Sequence, residues 1–113
     1  DVASYVLSLS GHAVDASAVA RGEQIFQTSE GGCYYCHTAA GTGLRSQGAA
    51  NLTDQIWTIA NVAETVSPGE KQAAVKRVIA NGVERKMPGW SGRLTPTQIK
   101  LLTVYVHELG GGQ

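Results

Sequence analysis

Aromatic side chains are scarce in this sequence, at 6% of its 113 residues, with phenylalanine present once. A chain of this length fits one domain and buries roughly two-thirds of its unfolded surface. With so few large rings, its core is short of bulk. Neither sign of charge is in excess: nine basic and nine acidic side chains cancel. That balance offers no case for nucleic acid or an anionic membrane surface as a partner. No apolar run reaches the ~20 residues of a membrane-spanning helix. No charged-then-apolar signal segment opens the chain. Strong strand runs are missing as well. Methionine occurs once and cysteine twice.

Both cysteines fall in one pentapeptide, Cys33-Tyr34-Tyr35-Cys36-His37. C-x-x-C-H is the attachment signature of a c-type haem. Two thiols add across the two haem vinyl groups, and the two-residue spacer sets the sulfurs at the separation those groups need. The histidine that follows is placed to coordinate iron. Such a haem would supply the apolar bulk that the side chains lack. Two other readings stay open. C-x-x-C alone serves thioredoxin-like redox pairs, which expect a strand-helix-strand pattern nearby. It also forms half of many zinc sites, which need four ligands. Here there is no third cysteine, and His12 and His107 stand alone.

The two ends of the chain echo each other. Tyr5, Val6, Leu9 and Gly11 fall on Tyr105, Val106, Leu109 and Gly111 at the same spacings. Both stretches read as the last turns of a helix ending at glycine. The repeat leads to the expectation that residues 1–13 are the tail of an upstream domain of the same kind plus a linker. Residues 14–113 then form the working domain.

Four further helices are expected. The first, capped by Asp15 or Ser17, runs to about Thr28 and places Val19, Gly22, Ile25 and Phe26 on one face. A glycine there suits the close approach of another helix, and Leu101, Leu102, Tyr105 and Leu109 of the last helix are the expected partner. A short helix is expected over Ile56, Trp57 and Ile59, capped by Thr53 or Asp54. Ser67-Pro68-Gly69-Glu70 opens another with a capping box and a proline in its first turn. Thr95-Pro96-Thr97-Gln98 repeats that logic before the last helix. The fold class is therefore all-α, a small helical domain with long glycine-rich loops.

A haem iron held by His37 has a sixth position to fill. Met87 lies in a loop beside Pro88 and Gly89, between two capped helices. Its thioether is a soft donor that favours ferrous iron and raises the potential. With both axial positions filled, electron transfer rather than catalysis follows. Trp57 and Trp90 carry indole N–H groups that seek partners when buried, either in core packing or at a haem propionate. Arg93 and Lys86 could offset propionate charge. Tyr34 and Tyr35 receive no redox role.

These residues resemble the class I cytochromes c over roughly residues 14–110. Gly48-Ala49-Ala50-Asn51-Leu52-Thr53-Asp54 with Trp57, then Met87-Pro88-Gly89-Trp90 and Leu94, are similar to the haem domains of the CcoP (FixP) subunit of cbb3-type cytochrome c oxidase. The resemblance implies a small class I cytochrome c fold around one covalent haem c, with Cys33 and Cys36 bonded to it. It also implies His37 and Met87 as axial ligands. Its partners would be a donor cytochrome c and the oxidase core subunits. Covalent haem is attached outside the bacterial cytoplasm, so a periplasmic domain is expected, tethered to the inner membrane by an anchor upstream. The paired tyrosines inside the motif are bulkier than the small residues often found there. A free periplasmic cytochrome serving another reductase or dehydrogenase, and a gas sensor with a labile Met87, remain as alternatives.

Overall fold

The computed structural model describes residues 1–84 and 88–109. Among the described residues the regular elements are five α-helices and one 3-10 turn, with no strand. The chain divides into two units, residues 1–83 and 84–113.

In the first unit α1 (Val2–Leu9) is the hub. Ala3, Ser4, Tyr5, Val6 and Leu7 are buried in succession, so this helix is enclosed on all sides rather than along one stripe. It packs against both α2 (Ala16–Gln27) and α4 (Pro68–Asn81). Gln72 of α4 donates 2.6 Å to the hydroxyl of the fully buried Ser4. The end of α1 is a Schellman turn. Gly11 takes φ 82°, its N–H reaches the Ser8 carbonyl, and the His12 N–H reaches Leu7 at 3.1 Å.

Asp15 caps α2, accepting from the Ala18 N–H at 2.8 Å, and Ala18, Gly22 and Phe26 form its buried row. The helix that meets Gly22 is α1. A Cβ on Gly22 would collide with the Asp1 carbonyl and lie 2.9 Å from the Tyr5 Cβ. This corrects the expected partner, the last helix, whose Tyr-Val-x-x-Leu pattern α1 shares. The Ser67–Glu70 capping box opens α4 as expected, and the Gly82 N–H closes it on Val78.

The short helix expected over Ile56, Trp57 and Ile59 does not form. Asn51 Oδ1 accepts from the Thr53 N–H, and Asp54 Oδ1 from the Ile56 N–H, each at 2.9 Å. Such side-chain bonds two residues ahead compete with helix formation. This stretch is a chain of Asx turns.

In the second unit the Trp90 carbonyl accepts from the N–H groups of Arg93 and Leu94, both at 2.9 Å. Thr95 and Gln98 cap each other reciprocally at the start of α5 (Pro96–Leu109). Within this unit Leu101, Leu102, Tyr105 and Leu109 of α5 are exposed. Among the described residues no helix is long and apolar enough to cross a membrane.

Candidate functional site

The pentapeptide folds into a single turn, α3 (Tyr34–His37), with Cys33 at its N-terminus. The Cys36 and His37 N–H groups both reach the Cys33 carbonyl, at 3.3 and 3.0 Å. Residues spaced i, i+3 and i+4 share one helix face, so Cys33, Cys36 and His37 point the same way. All three line a cavity of about 430 Å³, within the range of cofactor pockets. Its apolar walls include Val6 of α1, Phe26 of α2, Val75 and Ile79 of α4, and Leu52 and Trp57 of the intervening loop. Tyr34 and Tyr35 are not among the lining residues; their rings stack 4.2 Å apart.

After α3 the chain folds back over His37. Thr38, with φ 65°, starts the reversal, and its hydroxyl accepts from the Thr42 N–H at 3.2 Å. The Gly43 N–H reaches the His37 carbonyl at 2.9 Å, and the Leu52 N–H reaches that of Gly41 at 2.7 Å. The loop thereby brings the Ala50 carbonyl to 2.9 Å from His37 Nδ1. A carbonyl can only accept, so Nδ1 carries a proton, which in the neutral ring leaves the lone pair on Nε2. That is the tautomer in which an imidazole binds metal through Nε2, with its other nitrogen anchored. The Phe26 ring lies 6.5 Å from the His37 ring.

Electrostatics separate the three readings of the cysteine pair. Burial pushes the Cys33 thiol up from its ordinary value, opposite to the thiolate activation that a redox-active pair requires. Among the described residues no group of three or more His, Cys, Asp or Glu is placed to hold a metal ion, whereas a structural zinc site takes four ligands. A group that bonds two thiols, takes one nitrogen and fills an apolar cavity fits what is there. Trp57 adds a polar sign of the same kind. Its indole Nε1 is buried, and among the described residues it has no hydrogen-bond partner.

Met87 and Lys86 lie outside the described residues. Trp90 and Arg93 belong to the second unit, where the Arg93 guanidinium sits 5.5 Å from the centre of the Trp90 ring in a cation–π contact. His107 is exposed on α5. His12 follows α1, its ring 6.1 Å from that of Trp57. The sequence alone does not reveal the parts played by Ala50 and Gly43. A backbone acceptor leaves no mark in residue type, and Gly43 is one of several glycines in the loops around the motif.

A family model described as cytochrome c oxidase, cbb3-type, subunit III, matches residues 17–106. The chain is 45% identical to the cbb3-type cytochrome c oxidase subunit FixP of Azorhizobium caulinodans, over all of the chain and 35% of that protein. It is 43% identical to FixP of Bradyrhizobium diazoefficiens, over 99% of the chain and 35% of the relative. Against subunit CcoP of Cereibacter sphaeroides the identity is 40%, over 99% of the chain and 34% of the relative. The chain thus spans about a third of the length of the curated relatives it matches. No solved structure matches it.

Proposed function

Because the chain belongs to the family of cbb3-type cytochrome c oxidase subunit III, we propose that it is an electron-transfer domain built around one covalent haem c. The observation that carries this reading is the convergence of Cys33, Cys36 and the Nδ1-anchored His37 on one apolar cavity. Cys33 and Cys36 would hold the haem by thioether bonds, and His37 Nε2 would ligate its iron. When bound, the haem supplies a one-electron couple. The chain's own work is to anchor His37 and to exclude water with Phe26, Leu52 and Val75.

Met87 is the proposed second axial ligand, on the strength of its being the sole methionine beside Pro88 and Gly89. The unpartnered Trp57 indole supports a contact to a haem propionate, and Trp90 and Arg93 are kept as further candidates for that role. In this reading the domain is not itself catalytic. It passes electrons from a donor cytochrome c to the oxidase core subunits, on the periplasmic side, tethered to the inner membrane through the longer protein. Residues 1–13 are proposed to derive from the end of an upstream domain of the same kind, which the echo between Tyr5 and Tyr105 supports.

A denaturing gel stained for haem peroxidase activity tests the core of the proposal. The stain should migrate with the chain in the wild type and vanish in Cys33→Ser/Cys36→Ser. A wild-type chain without stain, after expression with the haem-attachment machinery, sinks the reading.

A further inference from the structure

Gly43 lies six residues beyond His37, in the glycine-rich loop that follows the cysteine motif. Its backbone ties it to the site. The Gly43 N–H donates to the His37 carbonyl at 2.9 Å, and its φ of 75° turns the chain toward Ala49 and Ala50. A Cβ at this position would collide with the Ala49 carbonyl oxygen and lie 2.6 Å from that of Ala50. The Ala50 oxygen is the atom that accepts the His37 Nδ1 proton. The space left by the missing side chain is therefore the space that this acceptor needs. Backbone carbonyl oxygens have no rotamer by which to step aside.

We propose that Gly43 is a positioning residue for the axial histidine: by leaving room for the Ala50 carbonyl it sets the strength of the His37 Nδ1 hydrogen bond and hence the reduction potential of the haem. This inference rests on the haem reading above. A hydrogen bond from the far nitrogen raises the basicity of a ligating imidazole. A more basic ligand favours ferric iron, so weakening the bond raises the potential.

The chain supplies its own control. Gly82, after α4, also takes a positive φ, 66°, but it is not among the cavity-lining residues and a Cβ there would meet nothing within 4 Å. Gly43→Ala and Gly82→Ala thus impose the same kind of backbone strain, and only the first pushes on the acceptor. Both variants would be made in the full-length, haem-loaded protein. Redox titration gives the potential, and proton NMR of the reduced form gives the His37 Nδ1–H resonance. The expected result is a higher potential with an upfield Nδ1–H signal in Gly43→Ala, and neither change in Gly82→Ala.

Equal shifts in both variants, or none in Gly43→Ala, overturn the proposal. Should Gly43→Ala fail to accumulate, Gly43→Asn carries the same Cβ on a residue that tolerates positive φ and must give the same two shifts. Haem staining of each denatured sample separates the two levels. Stained chains without the shifts refute the role of Gly43 alone, whereas an unstained wild type refutes the haem reading and this inference with it.

Discussion

Tyr5 crosses α2 at Gly22, and the Cβ of Tyr5 lies 2.9 Å from where a side chain on that glycine would begin. The contact lets α1 sit against the α2 backbone and brings Tyr5 onto Phe26, the rings tilted by 58° with centres 5.1 Å apart. Phe26 in turn is a wall of the cavity that Cys33 and His37 line. The helix pair therefore shapes the site, although no residue of α1 carries its chemistry.

Gly22→Val is expected to be costly for that reason. Inserting bulk into a close-packed contact costs typically about 1–3 kcal/mol, here against a backbone carbonyl that cannot rotate away. For a domain near this size each kcal/mol corresponds to roughly 4–8 °C in Tm. A thermal melt followed by circular dichroism checks it; an unchanged midpoint would show that α1 does not dock on α2 at Gly22.

Removing α1 should do more. Tyr5 and Leu7 are 6% and 1% exposed, and full burial of one large apolar side chain contributes about 1.5–3 kcal/mol. A chain starting at Val14 leaves Phe26 and Val75 open on one side. We expect it to lose cooperative thermal unfolding and to bind a hydrophobic dye. If it melts with the same midpoint as the longer chain, residues 1–13 are no part of this core.

How much of this was legible in the sequence depended on how local each signal was. The starts of α2, α4 and α5 could be read because Asp15, Ser67 and Thr95 cap within three residues. The helix expected at Trp57 was misread because periodicity does not register Asn51 and Asp54 drawing backbone N–H groups into turns. The last helix is the expected partner of Gly22 and α1 takes that place instead, because Tyr5-Val6 and Tyr105-Val106 offer the same pattern. At the site, Cys33, Cys36 and His37 belong to one turn and could be read as a unit. Ala50 could not, because it acts through a carbonyl every residue possesses.

The capping box of α4 gives a pH prediction. Hydrogen bonds from the Ser67 hydroxyl, and then from its N–H, hold the Glu70 carboxyl below the usual glutamate range. A carboxyl whose folded value is depressed adds stability above its unfolded value, and that stability is lost as pH falls through the folded one. The capping contribution should thus be full at neutral pH and fade on acidification below the ordinary glutamate value of about 4.3. Ser67→Ala should lower the melting midpoint at pH 7 and narrow its difference from wild type toward pH 3. A gap that stays constant across that range would assign the loss to the hydroxyl cap alone.

If the domain carries the proposed haem, Met87 would decide whether its iron is closed. A thioether on the far side of His37 gives ferric haem a weak charge-transfer band at the red end of the spectrum and leaves no coordination site for carbon monoxide in the reduced form. Met87→Ala should keep the haem on the chain, because in the proposed reading Cys33 and Cys36 would hold it covalently, while that band disappears and carbon monoxide binds on mixing. The potential should fall as well, since a soft neutral donor that favours ferrous iron has been lost. If the band survives the substitution, the sixth ligand is another residue. If the unmodified reduced protein shifts its spectrum rapidly with carbon monoxide at neutral pH, the thioether is labile and the domain reads as a gas sensor rather than an electron carrier.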